Sequence, residues 1–322
     1  MAGLSTSIRT TTEEPFFLVG SERSGTTLLR LMLAHHPEIE CAPEFEFLVE
    51  RLSASGGWPE LEPYYDWLST NRIFLPHGLV IDRTLDYPAL MKSFLRQYCE
   101  RSAKPLRGAT CHKHFDRLLG IWPRARFVHL VRDGRDVARS CIAMGWAGNV
   151  WAGAERWLEA EWLWAAVAPR IDPAHRHELR YEDLIRDPGR ELARLCAFLG
   201  TDFDPAMLEY HRDSSYERPD PKLVGQWKQK LTPRELALLE ARIGPMLRER
   251  GYEPSGVAPV PVSALRRLAL ALHDRLGRFR FRRARYGLGL ILRSRLAEWS
   301  GIKAWKRALL LARNEIDNRH LQ

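Results

Sequence analysis

The sequence predicts an α/β protein with three layers, in which helices cover both faces of a central parallel sheet. Two stretches carry this prediction, because each has an apolar strand, a loop and a helix in that order. The strands are at residues 16–19 and 127–131, and the helices that follow them are at residues 26–35 and 135–144. A strand that crosses over through a helix pairs in parallel with its neighbour, so two such units indicate a parallel sheet.

Further elements are predicted from local patterns between and after these units. Helices are predicted at residues 44–53, 87–101, 151–167, 188–199 and 233–250, and strands at residues 108–112 and within RHELRYEDL. The helix at 188–199 begins with Pro188 and stops at Gly200, and Gly251 closes the helix at 233–250. The 322 residues, 45% of them hydrophobic, suffice for one large α/β domain or two small ones.

A Pro-, Gly- and Ser-rich stretch divides the chain. Residues 254–262, which include PSGVAPVP, predict a linker between a domain at 16–253 and a helical extension at 263–322, and residues 1–15 are predicted to be a disordered N-terminus. The extension reads as two basic, amphipathic helices. From residue 264 onward it carries 15 Lys/Arg and 4 Asp/Glu, a net charge of +11, whereas residues 1–263 carry 34 and 36, a net charge of −2.

Composition limits the compartment and the partners. The five cysteines have neither paired nor metal-ligand spacing, and no apolar run has the length of a signal peptide core or a membrane span, so we expect a cytoplasmic protein. Because the positive charge belongs to the extension, nucleic acid is not expected as a partner. Two interpretations of the extension are open. It makes a peripheral contact with an anionic membrane, or it forms a helical pair that packs on the domain with its arginines outward.

The stretch VGSERSGTTLLR, residues 19–30, resembles a phosphate-binding loop without its lysine. Gly20 and Gly25 have the spacing of such a loop, and Thr26 stands where the lysine belongs. Backbone N–H groups in the loop and at the start of the following helix bind an anion whatever the side chains are. A chance pair of glycines is the alternative, but the preceding strand and the surrounding Ser, Thr and Arg side chains favour an anion site.

The cations around this loop predict the kind of ligand. In nucleoside triphosphate enzymes, a lysine and Mg²⁺ neutralise a polyphosphate, and an Asp after a later strand helps to hold the metal. Here Arg23 lies two residues before Gly25, and Arg132 follows the strand at 127–131. This pattern suits a single 5′-phosphate that carries a transferable group of low charge. No metal is predicted, since no His/Asp/Glu cluster has metal-ligand spacing.

The two motifs together resemble those of the sulfotransferases that use 3′-phosphoadenosine 5′-phosphosulfate (PAPS). The segment ERSGTTLLR is similar to their 5′-phosphosulfate loop, with Glu22 in place of the usual proline. The segment VRDGRDVARS is similar to their 3′-phosphate motif and supplies Arg132 and Ser140. The resemblance implies a P-loop NTPase-like sulfotransferase fold, PAPS as co-substrate, and transfer of a sulfuryl group. The resemblance also implies the cofactor-binding residues, which are Arg23, Ser24, Gly25, Thr26, Thr27, Arg132 and Ser140.

A nearer resemblance is to tyrosylprotein sulfotransferases, and it covers roughly residues 16–230. HHPEIECAPEFEF places Glu44 at that family's catalytic Glu, although Phe45-Glu46 replaces the usual Thr-Arg after it. CHKHF places Lys113 at the catalytic lysine, and RYEDL places Tyr181 as a cofactor contact. The segment DSSYERPDPKLVGQWK resembles the loop that closes over the cofactor, and its matching residues are Ser214 or Ser215, Lys222 and Trp227.

The resemblance assigns roles in the reaction. Negative charge accumulates on the bridging oxygen as its bond to sulfur breaks, and Arg23 and Lys113 are placed to stabilise it. Glu44 takes the proton of the acceptor, a hydroxyl or an amine. A histidine beside Lys113, His112 or His114, is the alternative base, and a helix first-turn carboxylate is the alternative for Glu44.

Other polar and aromatic residues are interpreted as structural. Glu46 and Arg135 are expected to be solvated, and a surface ion pair with Asp133 or Asp136 is the alternative for Arg132. Most of the tryptophans are expected to pack in the core, and one near a helix start to line the acceptor site. They are Trp146, Trp151, Trp157, Trp162 and Trp164.

The expected activity is therefore PAPS-dependent sulfuryl transfer. The acceptor stays open among a small molecule, a glycan, a lipid headgroup and a peptidyl tyrosine. Two alternatives of other classes are a P-loop-type nucleotide-binding protein without chemistry and a small-molecule kinase. The missing lysine counts against the kinase.

Overall fold

A computed structural model of the chain describes residues 14–53 and 56–321. Most of the N-terminus predicted to be disordered, residues 1–13, lies outside the described residues. Five strands form one parallel sheet with the order β2-β3-β1-β4-β5. The strands are β1 (Phe16–Val19), β2 (Ile39–Glu44), β3 (Leu106–Cys111), β4 (Arg126–Val131) and β5 (Arg176–Arg180).

The helices of the described residues lie on both faces of this sheet, and some of them follow its last strand in the chain. They are α1 (Thr26–Ala34), α2 (Leu61–Leu68), α3 (Tyr87–Cys99), α4 (Gly134–Ala143), α5 (Val150–Gly153), α6 (Glu155–Val167), α7 (Tyr181–Arg186), α8 (Pro188–Leu199), α9 (Trp227–Lys230), α10 (Pro233–Glu249), α11 (Ala264–Ser300) and α12 (Lys303–Leu321). Short 3₁₀ helices are at Glu46–Leu48, Leu75–His77, Phe115–Gly120, Ala168–Arg170, Pro173–His175, Pro205–Leu208, Tyr210–Arg212 and Pro221–Leu223.

Alternating side chains of β1 show why the fold has three layers. Phe17 and Val19 point into a core that α2, α3 and α6 cover, whereas Phe16 and Leu18 point into a core that α1, α7 and α8 cover. Successive strand residues face opposite sides of a sheet, so a wholly apolar strand requires cover on both faces. The predicted three-layer fold with a central parallel sheet is confirmed.

The helix predicted at residues 44–53 is wrong. Residues Ile39–Glu44 form β2, and only Glu46–Leu48 make a short 3₁₀ turn. Pro43 concealed this strand, because proline normally argues against one. The structure places Pro43 where the register of β2 against β3 shifts, and β2 is an edge strand, which is where strands tolerate proline.

Two other parts of the chain differ from the predicted elements. The helix predicted at 151–167 is divided into α5 and α6, and the prediction did not include α2. RHELRYEDL forms β5 followed directly by α7. The remaining predicted helices and strands are present, with ends that differ by at most two residues.

The extension packs on the domain through a few specific contacts. A carboxylate oxygen of Asp274 in α11 accepts a hydrogen bond from the Gly148 N–H (2.8 Å), and the Asn149 side chain donates to the Leu270 carbonyl (2.8 Å). Gly287 (φ 74°, ψ 157°) interrupts α11, and Asn314 in α12 donates to the Thr70 carbonyl (2.9 Å). Among the described residues, no helix combines the length and the apolarity needed to cross a bilayer.

Candidate active site

The loop between β1 and α1 lies at the carboxyl edge of the sheet, between neighbouring strands β3 and β4. Two glycines make it possible. A Cβ at Gly20 (φ 143°) would lie 2.4 Å from the Leu130 carbonyl oxygen of β4, and one at Gly25 (φ 97°) would lie 2.4 Å from the Tyr181 ring. In parallel α/β sheets, ligands bind at this edge, so the loop is placed where the sequence predicted an anion site.

The loop presents hydrogen-bond donors to a ligand. Gly25 is the N-cap of α1 and supplies no side-chain cap, and the first N–H groups of a helix have no partner within the helix. Arg23 has a left-handed backbone (φ 72°), which costs free energy for a residue with a Cβ and is typical of functional sites. The Ser24 hydroxyl is buried without a hydrogen-bond partner among the described residues. These features fit a bound phosphate.

One cleft brings the two predicted phosphate motifs together. The Arg23 Nε donates a hydrogen bond to the Ser140 hydroxyl (3.0 Å), and the Arg132 Nη1 donates to the Arg23 carbonyl (3.3 Å). The Arg132 guanidinium lies 4.1 Å above the centre of the Tyr181 ring. We call this space of about 400 Å³ the loop cleft. It is lined by Arg23, Gly25, Thr26, Thr27, Leu28, Arg132, Asp136, Arg139, Ser140, Tyr181, Ile185, Tyr216, Glu217, Arg218, Pro219, Asp220, Leu223 and Gln226.

The segment after α8 forms one wall of the loop cleft but not through the predicted lysine. Lys222 is exposed and does not line the cleft, whereas Arg218 does. Arg139 is a second cation that the prediction omitted, although it adjoins Ser140 in the sequence. Trp227, the tryptophan of the same predicted segment, is buried under the Arg135 guanidinium, which lies 3.7 Å from the ring centre.

A second space, which we call the carboxylate cavity, adjoins the loop cleft and measures about 620 Å³. Its lining includes the predicted Glu44, Lys113 and Ser215, with Glu22, Glu46, Glu50, Arg30, Arg72, His112, Trp146, Arg156 and Ser214. Arg23, Thr27 and Tyr216 line both spaces. If a nucleotide lies in the loop cleft, the group at its end would therefore reach Arg23. An acceptor in the carboxylate cavity would meet the group there.

Glu44 lies at the end of β2, half-buried, and faces the carboxylate cavity. Its backbone carbonyl accepts a hydrogen bond from the His77 ring (3.2 Å). Half-burial at the cavity wall leaves the carboxylate open to an acceptor, which is what a general base requires. The alternative of a helix first-turn carboxylate is wrong, because Glu44 ends a strand.

Glu46 is buried, with 6% of its surface exposed, so the expectation that it is solvated is wrong. Its Oε1 accepts a hydrogen bond from the His112 N–H (3.0 Å), and its Oε2 has no partner among the described residues. Burial raises the pKa of the Glu46 carboxyl to about 7; His112 opposes this shift and the Glu44 carboxylate adds to it.

Lys113 is held by an ion pair. Its Nζ lies 3.2 Å from a carboxylate oxygen of Glu22, the residue that replaces the proline of the resembled loop, and Arg156 pairs with the same carboxylate. Burial raises the pKa of Glu22, but the charges of Arg156 and Lys113 outweigh it and leave the pKa below its ordinary value. The Arg156 guanidinium also lies 4.5 Å over Trp146, the tryptophan that lines the carboxylate cavity.

The two histidines beside Lys113 differ. His112 is buried, lines the carboxylate cavity and uses Nδ1 to bond the Gly20 carbonyl (2.9 Å). His114 has a left-handed backbone at the start of a 3₁₀ helix and lines neither space. Only His112 is therefore placed to act as the alternative base.

Arg135 is buried, with 2% of its surface exposed, so the expectation that it is solvated is also wrong. Its guanidinium pairs with Asp133 (2.8 Å) and Glu240 (2.7 Å) and joins α4 to α10. Arg132 lies 4.0 Å from Asp136, but it also faces the loop cleft, so it is more than a surface ion pair. In the described part of the chain, no group of three or more His, Cys, Asp or Glu side chains is arranged to bind a metal.

Comparison with known proteins identifies the family. A sequence model described as the sulfotransferase family matches residues 15–205, more than half of the chain. The chain belongs to the sulfotransferase family. It is 25% identical over 273 residues to protein-tyrosine sulfotransferase 2 of Gallus gallus and 26% identical over 271 residues to protein-tyrosine sulfotransferase 1 of Homo sapiens. Each alignment covers 76% of this chain and 70% of the relative.

Solved structures support the fold. The sulfotransferase domain from the curacin biosynthetic pathway matches with a TM-score of 0.54 at 21% identity, over 74% of this chain and 98% of that domain. The sulfotransferase domain of a Synechococcus olefin synthase matches with a TM-score of 0.53 at 23% identity, over 74% and 95%. The predicted sulfotransferase fold and the predicted transfer of a sulfuryl group are confirmed. The cytoplasmic location finds no support in these comparisons and stays a prediction.

Proposed function

We propose that this sulfotransferase takes its sulfuryl group from PAPS and transfers it to a hydroxyl in the carboxylate cavity. One observation carries the proposal: Arg23 and Arg132, from the ends of two adjacent strands, meet in one cleft, with Arg132 Nη1 3.3 Å from the Arg23 carbonyl. A nucleotide with phosphates at both its 5′ and 3′ positions requires two such cationic ends within one cleft. When bound, PAPS supplies a sulfuryl group on a phosphate leaving group.

The residues of the loop cleft divide between the two ends of the nucleotide. Backbone N–H groups of Gly25, Thr26 and Thr27, with the Ser24 hydroxyl, bind the 5′ end at the start of α1. Arg132 and Ser140 bind the 3′-phosphate. Tyr181 lies under the Arg132 guanidinium, and Nη1 and Nη2 donate to the carbonyls of Arg23 and Leu223, so these contacts fix the plane of the guanidinium.

Three side chains carry the chemistry. Arg23 lies where the loop cleft meets the carboxylate cavity, so its charge stabilises the leaving phosphate. Lys113 reaches the same region from the end of β3, and Glu22 holds its ammonium. Glu44, from the end of β2, accepts the proton of the attacking hydroxyl, which is typically worth about 10²–10⁴-fold in rate.

The names of the relatives favour a peptidyl tyrosine as acceptor. The carboxylate cavity has both acidic and basic walls, with Glu44, Glu46 and Glu50 near Arg30 and Arg72. A peptidyl tyrosine flanked by polar residues fits such a lining. The charged walls accommodate the polar neighbours and offer a hydrogen-bond partner to the tyrosine hydroxyl, which ends an otherwise apolar ring. Small-molecule, glycan and lipid acceptors stay predictions.

Transfer of ³⁵S from labelled PAPS to a tyrosine-containing peptide, and to a small phenol such as 2-naphthol, tests the proposal. We expect labelled product from at least one acceptor, and a loss of about 10²–10⁴-fold in kcat for Glu44→Gln with unchanged affinity for the product nucleotide. The matched control is Glu50→Gln, an exposed carboxylate that lines the same cavity, for which we expect less than a twofold change. Full kcat in Glu44→Gln would contradict the assignment of the base.

A further inference from the structure

The outer side of the extension carries a row of exposed apolar residues. In the first half of α11, Leu265, Leu268, Leu272 and Leu276 are 80%, 59%, 56% and 47% exposed. Their spacings of three, four and four residues place them on one side of the helix, one above the other. Leucines that pack against a domain are buried, so this side of α11 has no cover within the described part of the chain.

A second set of exposed apolar residues follows the interruption at Gly287. In the second half of α11, Leu288, Leu292, Leu296 and Trp299 repeat the pattern with spacings of four, four and three residues, and Trp299 is 88% exposed. We call these eight residues the leucine row. An exposed apolar surface of this extent is rare on a soluble domain unless something binds it.

The opposite side of α11 is the side that packs. Asp274 is buried against Gly148, and by position it lies half a turn away from Leu272 and Leu276. Phe281 packs on Gly145, where an added Cβ would lie 2.1 Å from its ring. Because these contacts fix the rotation of α11 before Gly287, the first four leucines of the leucine row face away from the domain.

Arginines flank the leucine row. Seven exposed arginines of α11 make no ion pair with a carboxylate among the described residues: Arg267, Arg275, Arg280, Arg282, Arg283, Arg293 and Arg295. The acidic side chains of the extension are mostly bound internally. Asp274 pairs with Arg278 (2.6 Å), and Asp317 accepts from the Tyr286 hydroxyl (2.6 Å) and pairs with Arg285 (3.5 Å).

We propose that the leucine row of α11 lies on an anionic membrane surface. Leucines and a tryptophan would enter the boundary between headgroups and acyl chains, while flanking arginines contact lipid phosphates and keep their charge in water. A second copy of this chain is disfavoured as the occupant, because it would bring together two extensions that each carry a net charge of +11. A nucleic acid would use the arginines and leave the leucines in water.

Sedimentation of the full chain with vesicles tests the proposal. One set contains phosphatidylcholine with 30 mol% phosphatidylglycerol, and the other contains phosphatidylcholine alone. We expect binding to the first set that weakens with added salt, and at least about tenfold weaker binding to the second. The double variant Leu268→Asp/Leu272→Asp should lose at least about tenfold in affinity for the anionic vesicles, because it removes apolar side chains that enter the membrane. Both positions are exposed, so the fold does not depend on them.

Val80→Asp is the matched control, because Val80 is 70% exposed but lies in the domain. It should bind vesicles as the unsubstituted chain does. Equal binding of the double variant and the control to anionic vesicles would overturn the proposal. The proposal would also fail if the unsubstituted chain did not bind anionic vesicles but formed dimers, and the double variant abolished those dimers. Product-nucleotide binding is measured in the same preparations, so a failure of membrane binding is distinguished from a failure of the proposed donor site.

Discussion

The domain and the extension use the same residue types in opposite ways. In the domain, Arg135 is buried between two carboxylates, and Leu239 of α10 is fully buried. In α11, arginines such as Arg283 are exposed without a carboxylate partner in the described residues, and the leucine row is outermost. Arg135 and Leu239 therefore find their partners inside the domain, whereas the leucine row and Arg283 have no such cover within the described residues.

The largest expected difference between the two regions concerns a buried and an exposed arginine. Arg135→Met leaves Asp133 and Glu240 as buried carboxylates without their cation, so we expect the free energy of unfolding to fall by about 3–5 kcal/mol. Arg283→Met removes an exposed charge and should change it by less than about 0.5 kcal/mol. Urea unfolding followed by circular dichroism measures both. Similar losses for the two variants would contradict the difference between the buried and the exposed arginine.

The pH dependence of stability should also differ between a buried carboxylate of the domain and an exposed one of the extension. Burial raises the pKa of Glu46 in the folded chain to about 7 from an ordinary value of 4.5. The folded chain therefore holds a proton that the unfolded chain releases, so this stabilisation is complete below about pH 4.5 and is lost as the pH rises through about 7. Glu46→Gln removes the dependence.

Between pH 4.5 and pH 8, the unsubstituted chain should therefore lose about 3 kcal/mol of unfolding free energy more than Glu46→Gln does. Glu298→Gln, at an exposed position of α11, should follow the unsubstituted chain. If the unfolding free energies of Glu46→Gln and the unsubstituted chain changed in parallel with pH, the pKa of Glu46 would not differ between the folded and the unfolded chain.

Local patterns made the phosphate motifs readable from the sequence. The strand, the glycine loop and the first turn of α1 are consecutive. Arg132, which directly follows β4, and Ser140, in α4, lie eight residues apart. Because parallel strand ends meet at one edge, the order of the motifs also predicted that Arg23 and Arg132 come together. The contact between them fulfils this expectation.

Long-range packing decided what the sequence did not reveal. Glu46 is buried only because β2 pairs with β3 and brings it to the His112 N–H, and Pro43 concealed β2. Arg135 is buried because α10 returns to α4 with Glu240. The amphipathic pattern of the extension was visible, but its outward face depends on contacts with residues 145–149.

The proposed donor site requires that Arg132 and Arg23 bind opposite ends of one nucleotide. Calorimetric titration with 3′-phosphoadenosine 5′-phosphate and with adenosine 5′-phosphate, which lacks the 3′-phosphate, tests this most directly. Arg132→Ala should weaken the first by about 10- to 100-fold and the second by less than about threefold, because only the first offers the phosphate that Arg132 binds. Arg124→Ala, at an exposed position that lines neither space, should change neither. Equal losses for the two nucleotides in Arg132→Ala, or no loss for either, would contradict the central claim.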